Sequence, residues 1–211
     1  MRDADPGDGP SGNELLTAWA GAALFVLLAI EGLTIVRIGA FVVPHVAVGM
    51  VLVAAVLLKI GSTGYRFVRY YTGSATYRQK GPPRPLLRML APLVVLSTLA
   101  VLASGVALLA LAPGSSAADR VLQVHKATFV LWFVVMTVHV LAYLSRVPRL
   151  LAAEVRPVAT RTRTSGLTLR LTLLAATCAV GVLLAAATVH LGERWSGAAR
   201  SSDSPQRSST P

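Results

Sequence analysis

The apolar stretch 121–144, VLQVHKATFVLWFVVMTVHVLAYL, carries two histidines, His125 and His139, fourteen positions apart. On a helix that spacing is roughly 21 Å along the axis and returns to within about 40° of the same face. Hydrocarbon does not tolerate a polar group without a partner, so an imidazole inside such a stretch marks a functional site. Two further histidines, His45 and His190, sit in other apolar stretches. Imidazoles on facing helices can ligate the iron of a b-type heme. That chemistry requires two rings at equal depth and room beside them for the macrocycle.

The elements that must position these rings follow from composition. Of the 211 residues, 54% are hydrophobic and 14% are charged, against about 25% charged in a soluble domain. Five apolar runs, roughly 15–37, 41–63, 88–112, 120–144 and 167–191, each exceed the ~18 residues that mark a spanning helix. Spans in lipid close their backbone hydrogen bonds internally. The expected fold class is therefore all-α, a polytopic membrane helical bundle of five transmembrane helices at 14–192. Residues 1–13 are expected to form a disordered head and 193–211 a disordered tail. The head lacks the basic region of a signal peptide, so no cleavage is expected.

The net charge of +11 lies in the links between runs. It reads as a topology signal and as contact with anionic lipid rather than with nucleic acid. Segment 64–88 holds Arg66, Arg69, Arg78, Lys80, Arg84 and Arg88 and no acid, and segment 145–170 holds six arginines against Glu154. The positive-inside rule puts both links, and the N-terminus, in the cytoplasm of a multi-pass cell-membrane protein, and the C-terminus outside. The single cysteine, Cys178, excludes an intrachain disulfide, a covalent c-type heme motif and iron–sulfur ligation by this chain alone.

In this orientation His45 and His125 each lie a few residues below the outer end of a span running inward, at matching depth. Fourteen residues after His45 stands Lys59, where the other helix has His139. The correspondence extends to an offset of eighty positions between helices one and two and helices three and four, which hints at a duplicated pair with helix five added. Gly49 and Gly105 could admit a porphyrin close to the backbone. Arg37, Arg120 and Lys126 could neutralise heme propionates, and Glu31 could accept the free N–H of a ligand imidazole.

Each residue has a plainer reading beside this one. His190 ends its helix and suits the interface; His139 suits a hydrogen-bonded polar contact between helices. His45, His125, His190 and Glu31 could instead converge on zinc or copper. Tyr65, Tyr70, Tyr71 and Tyr77, interleaved with arginines, read as an aromatic belt, and Gly61–Gly64 (GSTG) as the end of helix two.

Two histidines separated by thirteen residues on one helix, with a partner on another, resemble the four-helix transmembrane cytochromes b. These include ferric-reductase-like proteins and the cytochrome b subunits that anchor hydrogenases and formate dehydrogenases. The resemblance covers helices one to four and rests on His45, His125 and His139. It implies a four-helix core plus one helix, with iron held by His45 and His125. In two-heme members four histidines serve two hemes. Lys59 breaks that pattern, so one heme b at the outer site is expected and a second is not. The lysine itself is expected to extend toward the inner headgroups.

The expected function is one-electron transfer by a subunit that is not an enzyme on its own. Its expected partners are the lipid bilayer, a quinone and an extracytoplasmic or membrane redox subunit. The alternative is a cofactor-free membrane accessory, assembly or small transporter-component protein, in which Glu31, Lys59 and His139 tie helices together.

Overall fold

The computed structural model describes residues 10–73, 85–144, 147–149, 152 and 167–202. The chain is all-α, as its composition demands. The five helices are α1 (Pro10–Val36), α2 (Ile38–Tyr71), α3 (Pro85–Ala110), α4 (Ser116–Tyr143) and α5 (Leu167–Ser202). Each is long and apolar enough to cross a membrane. Their outward faces carry large apolar side chains in the open, among them Leu33 at 70% and Leu183 at 69% exposure, a surface suited to lipid rather than water.

The joints set the geometry. Between α1 and α2 a single residue, Arg37, departs from helical angles, with φ −134° and ψ 53°. Four residues into the next turn Phe41 is again non-helical, at φ −117° and ψ 24°. Pro44 causes this: it has no N–H to donate, and its ring collides with the carbonyl four residues earlier. The kink aims the following residue, His45. Between α3 and α4 the chain turns through Gly114, whose φ of +80° suits a residue without a Cβ. The Ser115 hydroxyl then caps α4 by accepting from the Ala118 N–H at 3.2 Å, which satisfies one of the first-turn donors.

Packing divides the helices into two groups. α2 packs closely against both α1 and α5, α3 and α4 form a hairpin, and the backbones of the two groups approach each other sparsely. Small residues make the close contacts: Ala18, Ala20, Ala54, Ala55, Ala118 and Ala185 are buried, whereas among the described residues no large side chain is fully enclosed. This is how helices associate in lipid, where burying apolar surface gains little and close backbone approach gains dispersion contact. On α5, Gly181 lies against Val51 of α2 and Gly192 against Val46 and Val43. On the α3–α4 seam, buried Thr98 accepts from the Trp132 indole N–H at 3.1 Å.

Three boundaries differ from the sequence expectation. The region assigned to a head is helical from Pro10, and Asn13 donates to the Ser62 carbonyl at 2.9 Å. Helix α2 does not stop at Gly61–Gly64 but runs to Tyr71, because the helix's own hydrogen bonds outweigh two isolated glycines. Helix α5 passes position 193 and reaches Ser202. There Arg194 donates to the Leu109 carbonyl at 2.8 Å and Trp195 to the Leu108 carbonyl at 3.2 Å. The Leu108 carbonyl also accepts from the Leu111 N–H at 3.2 Å, and the two side-chain bonds fasten the end of α3 to α5 and so join the two helix groups. Residues 1–9 and 203–211, and the link residues Arg78, Lys80, Arg84, Arg146, Glu154, Arg156, Arg161 and Arg163, lie outside the described set.

A Cβ at Gly181 would lie 2.9 Å from the Val51 Cα and 3.2 Å from its carbonyl oxygen. Backbone cannot rotate aside, so Gly181→Val is expected to cost about 1–3 kcal/mol. The check is thermal unfolding in detergent; Gly197→Val, where nothing lies within 4 Å, is the control and should move the midpoint far less.

Candidate functional site

His45 of α2 and His125 of α4 come from different helix groups and meet across the space between them. Their ring centroids are 6.4 Å apart and their planes are inclined at 77°. Each ring is held from behind by the helix that precedes its own. The His45 Nδ1 stands 3.0 Å from Glu31 Oε1 and 3.1 Å from Thr34 Oγ1. Thr34 spends its hydroxyl proton on the Glu31 carbonyl, at 2.6 Å, so toward the ring it accepts. The His125 Nδ1 stands 3.1 Å from the Val101 carbonyl and 3.0 Å from Ser104 Oγ.

These partners fix the tautomers. A backbone carbonyl can only accept, so His125 carries its proton on Nδ1 and donates it to Val101. The Thr34 hydroxyl and the Glu31 carboxylate require the same of His45. With Nδ1–H engaged in this way, each imidazole in its neutral form presents an unprotonated Nε2. A metal-ligating imidazole is oriented in the same way, by donating its other N–H to a carboxylate or carbonyl.

Glu31 is 12% exposed, and its second oxygen, Oε2, is buried without a hydrogen-bond partner. Gly105 borders the His125 ring: a Cβ there would lie 3.1 Å from Cε1. Gly49 faces Glu31, with a virtual Cβ 3.5 Å from Oε1. The two glycines make room for the ring and for the carboxylate that orients its partner. Thr128 extends the seam, 3.4 Å from Ser104 Oγ.

The remaining expected residues divide. Arg37, Arg120 and Lys126 are all exposed. The four-ligand zinc or copper site is not formed: His190 is exposed, and no three metal-ligating side chains converge among the described residues. Lys59 turns onto α1. Its ammonium is held by the Thr17 carbonyl of α1 and fills the space beside Gly21, 3.0 Å from where a Cβ would be. His139, half-buried one turn from the end of α4, lies near Tyr143 at a ring-centroid distance of 5.0 Å.

Thr34, Val101, Ser104 and Thr128 were not singled out from the sequence. The signal for Thr34 was its place three residues after Glu31, on the same helix face. Ser104 stands seven residues after Ser97 in an apolar run, again on one face. The backbone carbonyl of Val101 leaves no trace in a sequence. The offset of eighty relates the two histidines but not their acceptors: Thr34 precedes His45 by 11 residues, and Ser104 precedes His125 by 21.

Comparison with family models, with curated proteins and with solved structures gives no match.

The paired acceptors predict a non-additive series. Thr34→Val alone leaves Glu31 to accept from His45 and is expected to cost under about 1 kcal/mol. Combining it with Glu31→Leu strands a buried Nδ1–H, and the pair should cost about 2–3 kcal/mol more than the single change. Unfolding midpoints of the two variants against wild type, in one detergent, give the difference.

Proposed function

We propose that the chain is an electron-transfer subunit of the membrane b-type cytochrome kind, with one heme b held between His45 and His125. The observation that carries this reading is the pair of facing imidazoles, each with Nδ1 engaged from behind and Nε2 bare. A bis-imidazole iron site needs two Fe–N bonds of about 2 Å, which with the ring radii brings the centroids to roughly 6 Å. The 6.4 Å separation and the 77° inclination are compatible with that need. The sparse backbone approach between the two helix groups puts the pair at a joint that can part around a flat macrocycle. When bound, heme b supplies a one-electron couple.

The chain's own residues would ligate, orient and insulate. Glu31 and Val101 fix the tautomers by accepting from Nδ1–H of His45 and His125. Gly105 lets the His125 ring lie against α3. Arg37, Arg120 and Lys126, exposed at the same end of the bundle, are free to meet the propionates. A quinone or a redox subunit is the proposed exchange partner, and the positive-inside rule, applied to the basic links of the sequence, supports a heme end on the extracytoplasmic side.

A second reading is supported by the edge-on contact itself. The run of groups from Glu31 and Thr34 through His45 and His125 to Ser104 could serve as a polar joint between helix groups in a cofactor-free accessory or transporter-component protein, since edge-to-face ring contacts are favourable on their own.

The test is the reduced-minus-oxidised spectrum of purified wild type, His45→Ala, His125→Ala and His139→Ala. The heme reading expects b-type bands in wild type, their loss in the first two variants and their retention in the third. A colourless, folded wild type favours the polar joint. Orientation is checked separately with C-terminal fusions: alkaline phosphatase should be active and a cytoplasm-dependent fluorescent reporter dark, and the reverse pattern would overturn the placement.

A further inference from the structure

The imidazole pair lies toward the end of the bundle where α1 passes into α2 and α3 turns into α4, and α5 reaches the same level. Within one turn α5 touches both helix groups. On one side Gly192 lies against α2, with a virtual Cβ 3.3 Å from the Val46 Cβ and 3.6 Å from the Val43 Cα. Those two valines flank Pro44 and His45. On the other side Arg194 donates to the Leu109 carbonyl at 2.8 Å and Trp195 to the Leu108 carbonyl at 3.2 Å. Leu108 and Leu109 follow Gly105, against which the His125 ring lies, by about one helical turn.

Helix periodicity shows how one element serves both neighbours. Positions 181 and 192 of α5 share a face to within about 20°, and both glycines on it lie against α2. Position 194 is about 200° round from 192, so α5 turns a different face to α3. The anchors themselves resist movement. Arg194 and Trp195 grip main-chain carbonyls in the last turn of α3, and Gly192 puts no side chain between α5 and α2. The imidazoles provide no such grip. Nδ1 of His45 bonds to Glu31 and Thr34, and Nδ1 of His125 to Val101 and Ser104, so these bonds stay inside each group. Between the groups the rings meet through an edge contact, which is less directional than a hydrogen bond to a fixed carbonyl.

We propose that Arg194 and Trp195 are positioning residues for the imidazole pair. With Gly192 they make the end of α5 a brace that fixes how far α2 stands from α3, and so how far His45 stands from His125. The brace acts whether the pair is a polar joint or a heme site. Its bearing on heme rests on the reading above: there it sets the width of the slot in which both rings reach one iron.

The experiment measures the gap between the groups directly. Spin labels go on Leu33→Cys of α1 and Val106→Cys of α3, both exposed, in full-length protein whose one native cysteine is removed by Cys178→Ala. Pulsed dipolar resonance in detergent should give one narrow distance in this background. Arg194→Ala combined with Trp195→Phe should broaden it and lengthen it by about 2 Å, the scale of ordinary helix shifts. Arg194→Lys keeps a donor and should stay with the background. Trp132→Phe removes an indole N–H bond inside the α3–α4 group and should also leave the distance unchanged. An unshifted double variant overturns the proposal, and so does an equal shift in Trp132→Phe, which would make the effect a general loosening. Should the double variant not fold, Trp195→Phe alone decides, with a partial shift expected and none overturning the brace. In heme-loaded protein the double variant should gain a high-spin ferric fraction that the background lacks; a wholly low-spin double variant would overturn the positioning role. A background preparation that takes up no heme would remove the heme reading and leave the brace to be decided by the distance.

Discussion

A hydrogen-bond donor in hydrocarbon must find an acceptor within the protein, and that requirement organises this bundle. Nδ1–H of His45 finds Glu31 and Thr34; Nδ1–H of His125 finds Val101 and Ser104. Each imidazole is thereby locked to the helix that precedes its own. The lock does two things at once. It closes the α1–α2 and α3–α4 hairpins, and it leaves the second nitrogen of each ring bare at the junction of the two helix groups. Structural satisfaction and readiness to ligate come from the same four contacts.

The packing around this junction is economical. Alanines and glycines let α5 lie against α2, and serines and threonines stitch α3 to α4. Between the groups, contact concentrates at a few points: the imidazole pair, and the Arg194 and Trp195 bonds to the end of α3. Pro44 contributes at a distance, because the kink it forces sets the direction from which His45 enters.

Much of this was readable beforehand, for definable reasons. Hydrophobic run length is a strong signal in lipid, where backbone satisfaction leaves few alternatives to the helix, and all five spans stood out. The depth match of His45 and His125 followed from helix rise alone. Glu31 was identifiable because a lone acid in an apolar run needs a partner. What escaped were contacts carried by the backbone, such as Val101 and Thr17, and small hydroxyls whose partners lie on another helix. Helix ends escaped too. Arg194 and Trp195 look like the start of a polar tail until their acceptors on α3 are seen, and Gly61 and Gly64 look like a stop until α2 is seen to continue. The orientation of Lys59 depended on Gly21, thirty-eight positions away, and nothing local to the lysine announces it.

The central claim is that two neutral imidazoles, each donating through Nδ1, hold one iron between them through Nε2. Low-temperature electron paramagnetic resonance of the oxidised, purified full-length protein addresses it most directly. The account predicts a low-spin ferric signal of the bis-imidazole type, at one iron per chain. A high-spin ferric signal, which one imidazole alone would give, or the absence of any heme signal from folded protein, would contradict it.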